Sequence, residues 1–136
     1  MSKTRQREVI IADKAPKAIG PYSQGIRYGD IVFTAGQIGL DYKTGQIVEG
    51  GIEAQTRQVL DNLKSILESS GSALGNVIKT TVFVTNLGDF EKMNAVYAEY
   101  FPQDPPARST VQAAALPKGA LIEIECVAMV GVGKGD

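Results

Sequence analysis

The chain has 136 residues, with 14 Lys or Arg against 15 Asp or Glu for a net charge of −1, one Cys and no His. The missing histidine excludes imidazole acid/base chemistry, a Ser-His-Asp triad and His-ligated metal, and one thiol excludes an internal disulfide. The near-zero charge lacks the basic excess of nucleic-acid binders, so nucleic acid is not an expected partner.

Strands joined by tight turns are predicted for the first part of the chain. Residues 8–12 favour a short strand that is either an edge strand or a return strand, and Asp13–Pro21 favours a loop. Gln24–Tyr28 and Ile31–Gln37 flank Gly29-Asp30, and glycine first in a two-residue loop suits the type II′ turn of a hairpin.

A turn at Asp41–Gly45 precedes the first predicted helix, Ile52–Ser70. Gly71 is a fitting C-terminal stop for this helix. Its apolar residues recur at helical spacing and form one stripe, which consists of Val59, Leu60, Leu63, Ile66 and Leu67.

The segment Val77–Val84 is dense in β-branched residues and predicts a strand. A second helix follows, with Asp89 as the expected cap and Pro102 after its end. Its apolar and aromatic residues predict a core stripe in preference to a ligand site, and they are Phe90, Met93, Val96, Tyr97, Tyr100 and Phe101.

Two last strands are predicted for Arg108–Ala115 and Leu121–Val130, followed by a polar tail at Gly133–Asp136. The element order predicts one α+β domain over residues 1–136, with five to six strands in a mixed sheet and two helices on one face.

The last strand shows why one sheet face needs a partner. Ile122, Ile124, Cys126, Ala128 and Val130 share the face that suits the helices, while Leu121, Glu123, Glu125, Val127 and Met129 share the other. An apolar face of this kind, with two carboxylates, indicates burial against another subunit.

Arg108 follows Pro105-Pro106-Ala107 at a strand start and is a candidate for gripping a carboxylate in a bidentate way. The alternative is a surface arginine paired to a nearby acid. Glu123 and Glu125 lie in an otherwise apolar strand, where an ionised carboxylate costs free energy unless it is paired or hydrogen-bonded. The alternative is that they lie on a partly exposed strand face. Whether Arg108 faces them depends on strand register, which stays open.

Other candidates each have a plain alternative. Tyr22 is either a site phenol on the Gly-Pro loop or a turn residue. Gly36 permits close approach of a ligand or marks a bulge. Asn94 is either solvent-facing or a buried donor in mid-helix. Cys126 has core parity and is interpreted as a buried, inert thiol.

Five motifs in order resemble the Rid/YjgF family, and in particular its RidA subgroup, the 2-iminobutanoate/2-iminopropanoate deaminases. The resemblance covers about residues 8–131. It rests on Ile19–Gln24, Thr34–Ile38, Val77–Val84, Pro106–Ser109, and Leu116–Gly119 with Ile122–Glu125.

The resemblance implies a chorismate-mutase-like α+β fold and a homotrimer with three sites in clefts between subunits. It also implies a cofactor-free and metal-free hydrolase acting on C–N bonds. Its substrates would be reactive enamines and imines, 2-aminoacrylate with 2-iminopropanoate and 2-iminobutanoate, released by pyridoxal-phosphate-dependent dehydratases. The products would be 2-oxo acids and ammonia, and the reaction would protect pyridoxal-phosphate enzymes.

Carried over by position, the resemblance gives the carboxylate-binding role to Arg108 and the water-holding role to Glu123. It gives a catalytic role to Tyr22, which would close the pocket or hydrogen-bond the intermediate, and a site-supporting, substrate-binding role to Asn94. Gly36 matches the site-lining glycine. Two positions depart from the family pattern, since Ala35 stands where the family often has Ser, and Thr110 where it often has Cys. We expect both to line the substrate pocket and activity to persist with altered substrate preference.

Two other functions compete with imine hydrolysis. One is a binding protein, either a sensor of small carboxylic acids or a chaperone, and the other is RNA cleavage, which ranks low without histidine or basic charge. No secretory signal or apolar run long enough to cross a bilayer is evident, so a cytoplasmic location is expected ahead of a mitochondrial one.

Overall fold

The computed structural model describes residues 6–131, so the predicted tail Gly133–Asp136 lies outside the described residues. Seven strands form one mixed sheet, and two α-helices pack on one of its faces. The helices are α1 (Gly51–Ser69) and α2 (Phe90–Tyr100), and the strands are β1 (Arg7–Ile10), β2 (Gly25–Tyr28), β3 (Ile31–Thr34), β4 (Gln37–Ile38), β5 (Val77–Val84), β6 (Ala107–Gln112) and β7 (Ile122–Met129).

The strand order is β1-β2-β3-β7-β5-β6, with β4 paired to β7 beyond the end of β3. Every pairing is antiparallel except β5 with β6, which are parallel. Parallel neighbours require a crossover connection, and α2 supplies it. Of the two positions predicted for β1, the sheet edge is confirmed, and β6 forms the opposite edge.

The predicted hairpin forms around Gly29-Asp30, with Tyr28 opposite Ile31. Gly29 has φ 62° while Asp30 does not have a positive φ, as a type II′ turn requires. This confirms the predicted turn.

The strand predicted for residues 31–37 is interrupted, and the interruption produces the seventh strand. It ends at Thr34 and resumes as β4 at Gln37. The Cys126 N–H, on β7, donates instead to the Thr34 hydroxyl at 3.0 Å. A side chain thus replaces the backbone acceptor where Ala35 and Gly36 leave the ladder.

The main core lies between the helices and the inner face of the sheet. The predicted α1 stripe is fully confirmed, because all five of its residues are buried. Gly71 follows the helix with φ 86°, and the Ser72 N–H donates to the Leu67 carbonyl at 2.8 Å. These features form a glycine-based C-terminal cap.

Helix α2 differs from expectation in two details. Asp89 stands at the cap position, but its side chain makes no capping hydrogen bond; Asn86 caps the preceding turn by accepting from the Gly88 N–H at 2.8 Å. The core interpretation holds for Tyr97 and Phe101, which stack at 4.8 Å between ring centroids, whereas Phe90 is 38% exposed.

The outer face of the sheet carries large apolar side chains that the helices do not cover. Along β7 the predicted alternation is confirmed, since Ile122, Ile124, Cys126 and Ala128 are buried and the intervening side chains are not. Phe33 on β3 lies on this outer face and is 49% exposed. Within residues 6–131, no helix combines the length and hydropathy needed to span a bilayer.

Candidate functional site

Arg108 lies on the helix-covered side of edge strand β6. Its backbone pairs with Thr80 of β5, and Thr80 is fully buried beneath α2. The guanidinium carbon lies 4.7 Å from the centroid of the Tyr97 ring and 5.5 Å from that of Phe90. Aromatic faces hold a guanidinium by cation–π attraction without occupying its N–H donors.

No carboxylate among residues 6–131 forms an ion pair with Arg108; the ion pair found in that range joins Arg57 and Glu99. Among the described residues, the structure therefore favours the carboxylate-binding prediction over pairing with a nearby acid. An arginine held by aromatic rings, with no carboxylate of its own, is suited to bind the carboxylate of a ligand.

Asn94 is one helical turn from both aromatic rings that hold Arg108. Phe90, Asn94 and Tyr97 are spaced four and three residues apart, so they share one face of α2. The Asn94 carboxamide oxygen is buried and has no hydrogen-bond partner among the described residues. The Tyr97 hydroxyl is paired with the Thr80 hydroxyl at 2.7 Å. Burial raises the pKa of Tyr97, and the Arg108 charge opposes that rise.

Glu123 occupies a different place, on the outer face of the sheet. Its carboxyl group packs directly over Gly36, so that a Cβ added to Gly36 would lie 2.8 Å from the Glu123 Cδ. The two residues share a cavity of about 320 Å³, which is lined also by Tyr22, Ala35 and Ile38. The glycine at position 36 therefore makes room for a carboxylate of the chain itself.

The Glu123 carboxyl has a raised pKa because it is partly buried, and the neighbouring Glu125 charge raises it further. Tyr22 stands at the cavity rim, where its ring is 48% exposed and its hydroxyl accepts a hydrogen bond from the Ile19 N–H at 3.2 Å. Tyr22 thus has a role in the local turn and also lines the cavity.

Strand register, which was open in the sequence, separates Arg108 from Glu123. Arg108 pairs with Thr80, whose partner on β7 is Cys126, whereas Glu123 pairs with Phe83. The two α-carbons are thus about 10 Å apart along the strands and about 10 Å apart across them. Their side chains also leave opposite faces of the sheet.

The candidate residues consequently form two groups, which we call the arginine half-site and the glutamate half-site. The arginine half-site consists of Arg108, Thr110, Asn94, Phe90 and Tyr97. The glutamate half-site consists of Glu123, Gly36, Ala35 and Tyr22. Thr110 joins the first group because it is two residues beyond Arg108 on the same face of β6 and pairs with Val82.

Sequence reasoning missed the two rings around Arg108. Phe90 and Tyr97 flank Asn94 at helical spacing on α2, and this periodicity predicted a core stripe in preference to a ligand site. Cys126 is buried as expected, and burial raises its pKa to about 12. Residues 6–131 contain no group of three or more His, Cys, Asp or Glu side chains arranged to hold a metal ion.

Residues 6–131 form an α+β fold, a mixed sheet with two helices on one face, which is the architecture that the family resemblance implies. The model of the family described as Endoribonuclease L-PSP matches residues 12–130. The chain belongs to this family, which is the Rid/YjgF family that its sequence motifs resemble.

Named relatives and solved structures agree with this assignment. A RutC family protein of Pyrococcus horikoshii is 57% identical over 122 residues, which cover 90% of this chain and 97% of that protein. The human 2-iminobutanoate/2-iminopropanoate deaminase is 46% identical over 125 residues, covering 92% of this chain and 91% of the human protein. The crystal structure of E. coli TdcF with bound serine superposes with a TM-score of 0.86 at 43% identity, covering 90% of this chain and 98% of that one.

Proposed function

We propose that this protein hydrolyses 2-imino acids and their enamine tautomers to 2-oxo acids and ammonia, at a site that two copies of the chain build together. The observation that carries the proposal is Arg108, held against two aromatic rings without a carboxylate partner among residues 6–131. Two facts about relatives support it: a human relative is a named imine deaminase, and TdcF binds serine, a small amino acid.

Arg108 binds the substrate carboxylate through paired N–H donors. Asn94 and Thr110 line this end of the pocket, and the buried Asn94 oxygen is available to accept from a bound ligand. Fixing the carboxylate places the neighbouring imine carbon, so the main contribution of this half-site is orientation.

Glu123 holds and deprotonates the attacking water. As the water oxygen bonds to the iminium carbon, one water proton passes to the carboxylate and the C=N π pair moves to nitrogen. Glu123 returns the proton to that nitrogen in the tetrahedral carbinolamine. The C–N bond then breaks and ammonia leaves with the electron pair. The hydroxyl proton passes to the Glu123 carboxylate as the carbonyl of the 2-oxo acid forms, and ammonia takes up that proton as it departs.

Burial suits Glu123 to this exchange because its raised pKa brings the carboxyl closer to the pH at which it must both accept and donate. Ala35 and Gly36 leave space beside the carboxyl group, and Tyr22 closes the rim of the pocket. The iminium carbon is already electrophilic, so the reaction does not require imidazole.

One chain cannot bring both half-sites to one small substrate, because Arg108 and Glu123 point from opposite faces of the sheet. We therefore place each site between subunits, with Arg108 from one copy and Glu123 from the next. The uncovered apolar outer face supports assembly, and we propose the homotrimer that the family resemblance implies.

Two inactive variants test the shared site together. Arg108→Ala and Glu123→Gln each abolish ammonia release from freshly generated 2-aminoacrylate, because each removes one half-site. After the two are mixed, dissociated and reassembled in equal amounts, random pairing leaves about one quarter of the sites with both halves intact. Absence of recovered activity in hybrids confirmed by native mass spectrometry rejects a site shared between copies.

The same assay separates the competing functions. Binding of pyruvate without any turnover by the wild type would favour a carboxylate sensor over a deaminase. RNA cleavage that co-purifies with the protein and is lost in Arg108→Ala would favour the endoribonuclease activity for which the family model is named.

A further inference from the structure

Helix α1 buries polar side chains on the side that faces the sheet. Gln55 is 6% exposed, and Thr56 and Asn62 are fully buried. A buried amide costs free energy unless its hydrogen bonds are satisfied, and an apolar residue would suit a core stripe better. The hydrogen bonds of these side chains therefore indicate why the helix carries them.

Asn62 connects the helix to the segment that begins with β4. Its amide nitrogen donates to the carbonyls of Ile38 and Leu40, at 3.2 and 3.0 Å, and its oxygen accepts from Gln58 at 2.9 Å. By contrast, Thr56 donates to the Ile52 carbonyl of its own helix at 2.7 Å. Asn62 fixes another element, while Thr56 does not.

The segment that Asn62 holds lies beside the Glu123 carboxyl group. Ile38 is the direct cross-strand partner of Glu123, and Gly36, over which the carboxyl packs, is two residues earlier. Gly39 presses on the helix itself, since a Cβ there would lie 3.1 Å from the Gln55 α-carbon. Movement of this segment would change the space that the carboxyl occupies.

Gln55 holds the other backbone segment that reaches Glu123. Its side-chain oxygen accepts from the Leu121 N–H at 2.8 Å, two residues before Glu123. Helix α1 is thus hydrogen-bonded both to the residue that precedes β7 and to the segment that contains β4, the strand paired with β7 beside Glu123.

We propose that Asn62 is a positioning residue for Glu123, assisted by Gln55, and that it sets where the carboxyl group lies above Gly36. The role in catalysis rests on the proposed imine hydrolysis. Asn62 touches no substrate and acts through the backbone of residues 36–40. Its loss lets that backbone, and with it the Glu123 carboxyl, leave the geometry needed to hold water, while the arginine half-site keeps its carboxylate affinity.

The test compares Asn62→Leu with Thr56→Val, a matched control in which a fully buried polar group of the same helix is removed. We expect Asn62→Leu to lower kcat about tenfold or more, with KM and pyruvate affinity within about twofold of wild type. Thr56→Val keeps the wild-type kcat. Should Asn62→Leu fail to fold, Gln55→Leu makes the same comparison through the Leu121 N–H.

A second measurement does not depend on turnover. Titration of the Glu123 carboxyl by carbon-13 NMR is expected to show its pKa move toward the ordinary value in Asn62→Leu and stay in place in Thr56→Val. Equal kcat losses in the two variants, or an unchanged Glu123 titration in Asn62→Leu, overturn the inference. A wild type without imine hydrolysis but with the expected titration shift removes the proposed function and leaves the positioning role standing.

Discussion

Gly36 offers a sharp test of the glutamate half-site, because the smallest possible enlargement there meets the Glu123 carboxyl group. The Cβ of Gly36→Ala would lie 2.8 Å from the Glu123 Cδ and closer still to one of its oxygens. The φ of Gly36 lies outside the left-handed region, so alanine fits the backbone. The perturbation is therefore one of contact rather than of conformational strain.

The effect of Gly36→Ala on stability and activity depends on how the Glu123 carboxyl group is displaced. Overpacking costs about 1–3 kcal/mol, and a side-chain carboxyl yields more easily than backbone, so we expect the lower end of that range. For a chain of this size, 1 kcal/mol lowers Tm by about 4 °C. Displacing the carboxyl by about 1 Å is expected to reduce kcat by about a hundredfold. Activity should therefore fall much more than stability.

Imine hydrolysis and thermal unfolding of Gly36→Ala measure the two effects. Gly75→Ala is the control, because a Cβ there meets nothing within 4 Å and its φ is not positive. Shortening the acid should relieve the contact, so Gly36→Ala with Glu123→Asp is expected to have a higher Tm than the sum of the single changes predicts. Additive Tm changes, or wild-type kcat in Gly36→Ala, refute this account of the glycine.

Three further outcomes follow from the same contacts. Phe90→Leu removes one of the two rings at Arg108. Because cation–π attraction contributes about 1 kcal/mol, this change should raise KM about fivefold with little change in kcat. An unchanged KM in steady-state assays would contradict the role of the ring. Because the pKa of Glu123 is raised, the folded state binds the Glu123 proton more tightly than the unfolded chain does. Proton binding therefore stabilises the folded state below the ordinary glutamate pKa, and this stabilisation is lost as pH rises through the raised pKa. The Tm of Glu123→Gln should therefore rise relative to that of the wild type between pH 4 and pH 7. A difference in Tm between the two proteins that stays constant over this range in calorimetry would contradict the expectation. With a pKa of about 12, Cys126 should react with a thiol reagent at pH 8 only after denaturation.

Local signals predicted most of the fold because they depend on short spacings. The α1 stripe, the Gly29-Asp30 turn and the β-branched segment Val77–Val84 each lie where periodicity and turn chemistry indicated. The interruption after Thr34 was not predictable in the same way. It depends on a hydroxyl meeting the Cys126 N–H, 92 residues away along the chain.

The candidate site shows the same division. Residue types and the family resemblance made Arg108 and Glu123 candidates. The sheet faces on which they lie depend on pairings across three strands, and a slip of one residue would move a side chain to the other face. The role of the aromatic rings around Arg108 was not predictable, because residues that pack in a core and residues that contact a guanidinium recur at the same helical spacing. The buried amides of α1 gave no sequence signal beyond polar residues beside an apolar stripe.

If each site is shared between copies as proposed, the opposite placement of the two half-sites makes activity depend on the concentration of the protein. Under the proposed mechanism a newly synthesised chain is inactive until it assembles with another copy. The rate per chain therefore rises with protein concentration until assembly is complete. In a closed ring each chain serves two neighbours, and one misfolded copy disables two sites. Specific activity is then a property of the assembled population rather than of the single polypeptide.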